Sequence, residues 1–308
     1  MRFDEGAQLD TSSIEDVGSG GGGFGGRGLA FGGGGLGVVG VVIYLLVQVL
    51  GGGSGSSGAG GTVGGFDTVG QGQAVGSSQV AQQCRTGHDA NTSEKCAVVA
   101  EVDSIQDFWG QQMGGRYTKA DTVFFQGSVQ TGCGAADSGV GPFYCPAGKL
   151  VYIDLSFFDQ LRSQFGAEGG TFVDAYVLAH EYGHHVQDLL GTESQVQSGV
   201  TGPTSGSVRL ELQADCYAGV WAQHATTTPD PATGRPLVTE ITSDDVSRAL
   251  DTAGRIGDDF IQRNLGGGQV DQSSFTHGTS AERQKWLTTG LQTGDPAQCD
   301  TFGTDQLG

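Results

Sequence analysis

Residues 171–190 read TFVDAYVLAHEYGHHVQDLL, and this stretch decides the fold. Thr171 and Asp174 have the spacing of a capping box, which predicts that a helix begins there. Gly191 predicts the end of the helix, since glycine commonly follows the last helical turn. Apolar side chains recur along the stretch at helical spacing and predict one buried face. They are Phe172, Val173, Tyr176, Val177 and Val186.

The same helix carries the pattern H-E-x-x-H in residues His180, Glu181 and His184. Positions four apart share one face of a helix, so both imidazoles can reach one zinc ion. Zinc lowers the pKa of a bound water to about 7, and Glu181 is predicted to take a proton from that water as general base. His185 faces about 100° away from His184 and is interpreted as structural. The alternative is a helix whose histidines are merely surface residues.

Two carboxylates, Glu211 and Asp215, stand four residues apart on a second predicted helix, about residues 208–225. One carboxylate can complete a zinc site with two histidines and leave a fourth position for water, as in catalytic sites. The other can accept a hydrogen bond from the free ring N–H of a ligand histidine. We therefore predict Glu211 as the third ligand and Asp215 as the partner of a ligand histidine. The reverse assignment and a solvated Asp215 stay open.

Five separated segments carry a further signal: LAHEYGHHVQ (178–187), ELQADCYAGVW (211–221), VGPFYCP (140–146), SFTHGTS (274–280) and GDPAQCDTF (294–302). Together they resemble the bacterial neutral zinc metallopeptidase family, over about residues 80–302 and the N-terminal segment. More distantly, HExxH followed by ExxxD is similar to the gluzincin superfamily. The resemblance implies a mainly helical, zincin-like α+β domain with a small β-sheet. It also implies zinc as cofactor, Glu211 as ligand and Asp215 as its partner.

Two further residues are candidates for the chemistry. His277 lies in a loop just before a predicted helix, and hydrolysis of a peptide needs a donor for the oxyanion that forms. We predict His277 for that role, with Arg283 on the following helix as a second candidate. The alternatives are that His277 braces its loop and that Arg283 pairs with a surface acid. Residues 140–144 are interpreted either as an edge strand that binds an extended substrate or as a disulfide-pinned loop.

The remaining elements predict the α+β class. Residues 149–155 are rich in β-branched and aromatic side chains, which predicts a strand. A capping box at Ser104–Asp107 predicts a helix that ends near Gly114. Further helices are predicted from Thr242 to about Leu265 and from Thr279 to before Gly294.

Charge and cysteine content narrow the setting of the protein. The formal net charge is −19, so phosphate backbones repel the chain and nucleic acid is not an expected partner. Six cysteines lack any CxxC pair, and their even number favours disulfides in an oxidising compartment. Cys84–Cys96 and Cys133–Cys145 are the expected local bridges. Cys216 and Cys299 remain, either as a long-range bridge or as buried thiols.

The N-terminal third is rich in glycine and is predicted to lie outside the globular domain. Residues 1–28 are interpreted as a disordered cytoplasmic tail. Residues 29–53 lack charged side chains and predict a transmembrane anchor, with a cleaved signal peptide or a buried helix as alternatives. A Gly/Ser-rich linker, 54–79, then leads to the metallopeptidase domain, 80–302, and a short tail, 303–308. Arg2 and Arg27 predict a cytoplasmic N-terminus and an extracytoplasmic domain.

These patterns together predict a membrane-anchored zinc metalloprotease that cleaves peptides or proteins. One alternative is a non-catalytic binding or chaperone module that zinc stabilises. Glu181 argues against that alternative, since a purely structural zinc site has no use for a neighbouring free carboxylate. Another alternative is a zinc amidase that acts on cell-wall peptides.

Overall fold

A computed structural model of the chain describes residues 1–19 and 75–308 and has the predicted α+β architecture, rich in helix with small sheets. Its strands in these ranges are β1 (Arg2–Phe3), β2 (Ile14–Ser19), β3 (Asp121–Gln126), β4 (Ser128–Thr131), β5 (Gly134–Asp137), β6 (Phe143–Cys145), β7 (Leu150–Ile153) and β8 (Val238–Glu240). Its α-helices there are α1 (Val75–Gln83), α2 (Gly87–Ala90), α3 (Glu94–Met113), α4 (Ser156–Ser163), α5 (Thr171–Leu190), α6 (Gly206–His224), α7 (Ser243–Arg255), α8 (Asp258–Asn264) and α9 (Ser280–Thr293).

The main sheet has four strands in the order β2-β3-β7-β6. β3 pairs in parallel with β2 and β7, whereas β6 runs antiparallel to β7 and forms one edge. Side chains on both faces of β3 are buried, because the main core covers one face and a smaller cluster covers the other. That smaller cluster also receives side chains from the hairpin β4–β5. β6 is therefore an edge strand of the sheet, and its three residues are buried.

Glycines allow the helices of the site to approach one another closely. A Cβ at Gly183 of α5 would lie 3.1 Å from the Ala214 backbone of α6. A Cβ at Gly290 of α9 would lie 2.0 Å from the Cys216 carbonyl, so no larger residue fits without moving a helix. Gly183 stands between the two histidines of the HExxH pattern. Its contact with α6 brings that helix within reach of both histidines.

Three helix boundaries differ from those predicted. α3 begins at Glu94, with Ser93 at its N-cap, so the capping box predicted at Ser104 is wrong. Residues 96–105 are largely buried, and their packing extends the helix upstream. Gly170 occupies the N-cap of α5, without the side-chain bond predicted for Thr171. The helix predicted to follow Thr242 divides into α7 and α8 at Gly257, where a Cβ would lie 2.4 Å from a backbone nitrogen of α9.

The three disulfides agree with the pairs considered from the sequence. Cys84–Cys96 and Cys133–Cys145 each join cysteines twelve residues apart. Cys216–Cys299 is formed as well, with both residues fully buried. This third bridge ties α6 to the segment that follows α9.

The predicted disordered tail, 1–28, is wrong over residues 1–19. β1 pairs with β8, and β2 lies beside β3 in the main sheet. Phe3 and Ile14 are each 2% exposed and belong to the main core. The physical reason is burial of these apolar side chains against strands more than a hundred residues away. At the other end of the chain Leu307 is buried as well, inside the predicted C-terminal tail.

The prediction of a single-pass membrane protein also needs correction. Within residues 1–19 and 75–308, the structure contains no helix with the length and apolarity that a membrane span requires. The predicted anchor, 29–53, and most of the predicted linker lie outside the described residues. A chain that crossed once between them would place residues 1–19 and the domain on opposite sides of a bilayer. In the structure they share one sheet.

Candidate metal centre and active site

Three side chains from two helices converge on one point. His180 and His184 lie four residues apart on α5, and Glu211 faces them from α6. The Nε2 atoms of the two imidazoles are 3.2 Å apart. Glu211 Oε2 lies 3.1 Å from His180 Nε2, and Glu211 Oε1 lies 3.5 Å from His184 Nε2. The structure thus brings together the three residues predicted as ligands, and all three are buried.

Hydrogen bonds on the far side of each imidazole fix its tautomer. His180 Nδ1 lies 2.9 Å from Asp215 Oδ1, and His184 Nδ1 lies 2.8 Å from Gln187 Oε1. The amide nitrogen of Gln187 donates to the carbonyl of Leu210, which leaves its oxygen for His184. Each Nδ1 therefore carries the ring proton and donates it. Each Nε2 is left with a lone pair that points at the other histidine and at Glu211.

This arrangement fits a zinc ion. Lone pairs that converge repel one another unless a proton or a metal ion lies between them, so a cation at their centre removes a cost. Ligand atoms about 2.0–2.1 Å from a tetrahedral zinc ion lie about 3.3 Å from one another. The three distances observed here, 3.1, 3.2 and 3.5 Å, bracket that value. Two imidazoles and one carboxylate are also the ligand set of many catalytic zinc sites.

Asp215 is the centre of a buried network behind His180. Besides His180, it accepts a hydrogen bond of 2.7 Å from the hydroxyl of Tyr176. Arg283 donates to both its oxygens, from Nε at 2.8 Å and from Nη2 at 2.9 Å. Asp215 therefore binds the His180 ring at Nδ1, on the side away from Glu211. Its pKa falls to about 2 because Arg283 and His180 outweigh the effect of burial.

Arg283 differs from both interpretations offered by the sequence. It is only 1% exposed, so it is no surface ion pair. Its Nη1 donates to the carbonyl of Ile256, and its other nitrogens bind Asp215. Through these bonds the guanidinium holds Asp215, which in turn binds the His180 ring. The structure therefore places Arg283 behind the metal ligands, as a residue that holds Asp215 in position.

Glu181 lies beside the ligands and has a different partner. Its Oε2 accepts a hydrogen bond of 3.0 Å from the backbone N–H of Tyr144, in the edge strand β6. Burial, together with the nearby charge of Glu211, raises its pKa to about 8, although His180 opposes the shift. A carboxylate with a raised pKa is a better proton acceptor than an exposed one. No local pattern in the sequence indicates Tyr144 as the group that orients Glu181, because the two residues are 37 positions apart in the chain.

The charges of the cluster favour a cation at its centre. Burial by itself lowers the pKa of His180, but Asp215 and Glu211 outweigh burial and raise it to about 10. Burial lowers the pKa of His184 to about 4, and the charge of His180 adds to that effect. Burial disfavours the ionised Glu211, but His184 and His277 hold its pKa far below the usual range. A proton and a metal ion therefore compete for the same nitrogen of His180.

His277 is buried and held by a carboxylate that the sequence analysis missed. Asp258, in the first turn of α8, accepts a hydrogen bond from the His277 backbone N–H at 2.7 Å, and its Oδ1 lies 3.2 Å from His277 Nδ1. The Thr276 hydroxyl lies 2.8 Å from the same nitrogen. His277 is also close enough to Glu211 to lower its pKa. His277 therefore both braces its loop and lies near Glu211.

His185 has the structural place expected for it. Its Nε2 donates to the carbonyl of Thr118 at 2.6 Å, and its Nδ1 lies 3.0 Å from the hydroxyl of Tyr144. Tyr144 in turn donates to Asp188 at 2.8 Å. These bonds attach β6 to α5 near Glu181.

Comparison with known proteins identifies relatives over most of the chain. One protein family, described as "Putative neutral zinc metallopeptidase", matches residues 1–302. The uncharacterized protein Rv2575 of Mycobacterium tuberculosis and the uncharacterized protein Mb2605 of Mycobacterium bovis are each 50% identical over 226 residues, which cover 73% of this chain and 76% of theirs. The uncharacterized protein YpfJ of Escherichia coli K12 is 39% identical over 306 residues, 96% of each chain. No solved structure matches the chain.

Proposed function

The chain belongs to this family of neutral zinc metallopeptidases, and we propose that it hydrolyses peptide bonds with Glu181 as the general base. The observation that carries the proposal is the place of Glu181. It is a buried carboxylate beside three convergent ligands, it is not one of them, and a backbone N–H orients it. A site that held zinc only for stability would gain nothing from such a group, since burying a free carboxylate costs free energy.

The residues would hold and use the metal as follows. His180, His184 and Glu211 would hold zinc, which when bound would act as a Lewis acid that acidifies water and polarises a carbonyl. Glu181 takes the proton from the attacking water and then donates it to the departing amine. Tyr144 keeps Glu181 in place through both transfers, since the backbone N–H of a sheet strand moves little. The raised pKa of Glu181 suits a group that must accept and then release a proton near neutral pH.

The edge strand β6 offers a binding surface for an extended peptide. Tyr144 directs its backbone N–H to Glu181, on the side of β6 that does not pair with β7. A substrate strand added to that side would pass directly over the catalytic carboxylate. Backbone hydrogen bonds would supply affinity with little dependence on sequence. This geometry favours peptide or protein substrates over compact small molecules.

His277 is our candidate for the residue that stabilises the oxyanion. The Thr276 hydroxyl can donate to Nδ1 of His277, and the ring N–H that is then left to donate is on Nε2. The position of His277 near Glu211 brings that donor toward the reacting carbonyl. His277→Ala should therefore lower kcat by roughly 100-fold with little change in KM, the usual effect of losing an oxyanion donor.

The direct test compares three zinc-loaded full-length proteins on an unfolded protein and a mixed peptide library. The wild type should cleave both. Glu181→Gln should retain zinc and lose at least about 1,000-fold in kcat/KM. Glu101→Gln is the matched control, because Glu101 is an equally buried glutamate on α3, outside the site. Cleavage by the Glu181 variant at the wild-type rate would contradict the proposal. Zinc binding without any peptide cleavage would leave a zinc-binding module or a hydrolase of another amide.

A further inference from the structure

A cavity opens directly beside the metal ligands, with walls that are mostly apolar. Its empty volume is about 470 Å³, a figure that includes space open to solvent. It reaches from the catalytic helix α5 to α4 and its following loop on one side and to α8 on the other. Its apolar lining residues are Pro142, Phe157, Phe165, Val177, Ile256 and Ile261.

The cavity shares a wall with the catalytic machinery. His180 and Glu181 both line it. Val177 precedes these residues by three and four positions, so all three side chains project from one face of α5. A group bound between Val177 and the opposite wall therefore lies within one helical turn of the general base. When the scissile bond of a peptide lies at Glu181, the side chain of a residue next to that bond can therefore reach this position.

Apart from Glu181 and the metal cluster, the charged group in the wall is already satisfied. Of the described residues that line the cavity, Arg283 is the one cation outside the metal cluster, and its nitrogens bind Asp215 and the Ile256 carbonyl. The Tyr176 hydroxyl also donates to Asp215. A basic side chain in the cavity would meet the charge of Arg283, and an acidic one would lose its water without a free partner. An apolar side chain would lose only unfavourable contact with water.

We propose that this cavity is the specificity pocket of the enzyme and selects a large apolar side chain next to the scissile bond. This inference rests on the proposed peptidase function, which it deepens by naming the substrate class. Burial of a Leu or Phe side chain predicts a preference of roughly 10- to 100-fold over Ala. Asp and Lys should rank below Ala.

Ile261 is the wall residue best suited to a test by substitution. It is partly exposed on the short helix α8, so a change there should leave the core intact. Ile261→Asp places a negative charge in the apolar wall, which should weaken selection of Phe at least about tenfold and improve selection of Lys. Leu265, at the end of the same helix, is also partly exposed and does not line the cavity. Leu265→Asp is therefore the matched control and should keep the wild-type preference.

Two measurements on full-length, zinc-loaded protein test the proposal. The first maps the residues that flank each cleaved bond in a peptide library, for the wild type and both variants. The second measures binding of amino-acid hydroxamates with Phe, Leu, Ala, Asp or Lys side chains. A hydroxamate binds zinc without being cleaved, so this second measurement does not depend on catalysis.

The outcomes separate the pocket from the activity. An apolar preference that Ile261→Asp removes and Leu265→Asp keeps, in both measurements, supports the pocket. The same preference in hydroxamate binding without any cleavage supports the pocket and rejects the peptidase. Cleavage or hydroxamate binding with no preference for Phe and Leu, or with a preference unchanged in Ile261→Asp, overturns the pocket and leaves the peptidase proposal standing.

Discussion

At the scale of single residues, the fit for zinc depends on where two ring protons lie. Asp215 and Gln187 each accept a proton from Nδ1 of a ligand histidine, and the Nε2 lone pairs are thereby turned toward one point. The sequence predicted Asp215 in this role from its spacing to Glu211. It gave no signal for Gln187, because a glutamine three residues after a histidine is common on any helix.

The role of Gln187 leads to a prediction about metal affinity. Gln187→Ala should weaken zinc binding by roughly 10- to 100-fold, since His184 loses the group that fixes its tautomer. Gln106→Ala is the matched control, because Gln106 is equally buried but bonds to Ser13 and Ala120, away from the site. Competition with a zinc chelator measures both. Equal zinc affinity in the two variants would refute the role given to Gln187.

The ligand assignment makes a second prediction at this scale. Glu211→Ala should abolish stoichiometric zinc, whereas Asp215→Asn should reduce zinc affinity about 10- to 100-fold and leave some bound. Metal analysis after dialysis distinguishes these results. The reverse order would make Asp215 the ligand and overturn the geometry described for α6.

At the scale of elements, β6 is held in place by a disulfide. Cys145 directly follows Tyr144, whose N–H orients Glu181, and Cys133 lies in the turn of the hairpin β4–β5. Cys84–Cys96 closes a loop of the same length elsewhere. Removing either disulfide therefore releases a loop of the same length, so the two variants can be compared directly.

Removing either disulfide by paired Cys→Ser substitution should cost roughly 3 kcal/mol of stability. Only loss of Cys133–Cys145 should also lower kcat/KM, by about tenfold or more, because a loosened β6 misplaces Glu181. Both double variants are assayed at a temperature where each is folded. An equal kcat/KM in the two would show that β6 keeps its position without the bridge.

A buried carboxyl in the first turn of α5, Asp174, leads to a prediction about how stability depends on pH. Burial raises the pKa of Asp174 from its ordinary value of 3.8 to about 7, with a smaller contribution from Glu94, and one oxygen of Asp174 has no hydrogen-bond partner. The folded state thus holds the proton more tightly than the unfolded chain. Below about pH 4 Asp174 is protonated in both states and costs no stability. As the pH rises from 4 toward 7 the unfolded chain loses this proton more readily, so the free energy of unfolding falls, and it stays lower above pH 7.

Asp174→Asn should remove that penalty and stabilise the protein at pH 8 by roughly 2–4 kcal/mol, with little effect at pH 4. Asp305→Asn, at an exposed position, is the control and should change neither. Denaturant unfolding at the two pH values measures the difference. A gain that is the same at both pH values would contradict the buried-carboxyl explanation.

At the scale of the whole molecule, the features that could be predicted from the sequence are those that depend on spacing within one segment. The HExxH helix, its end at Gly191 and the helix that carries Glu211 follow from spacing within one segment. The place of residues 1–19 does not, because β2 pairs with β3 about a hundred residues later and the glycine runs that follow dominate the local composition. The partnership of Tyr144 and Glu181 was missed for the same reason, since it joins a strand to a distant helix.

Substitution at Ile14 tests whether the N-terminal strand belongs to the domain. Ile14→Ala should lower the free energy of unfolding by roughly 2–4 kcal/mol, because Ile14 is 2% exposed in the main core. Val17→Ala on the same strand is the control, since Val17 is 49% exposed and should change stability little. If both substitutions changed the free energy of unfolding equally little, residues 1–19 would not belong to the folded domain.

X-ray absorption at the zinc edge of the full-length protein is the most direct test of the proposed metal centre. We expect one zinc per chain in four-coordinate nitrogen and oxygen ligation, with scattering from two imidazoles and ligands at about 2.0–2.1 Å. We expect no sulfur ligand, because all six cysteines are paired in disulfides. Sulfur at about 2.3 Å, or fewer than two imidazoles, would contradict the metal centre of His180, His184 and Glu211.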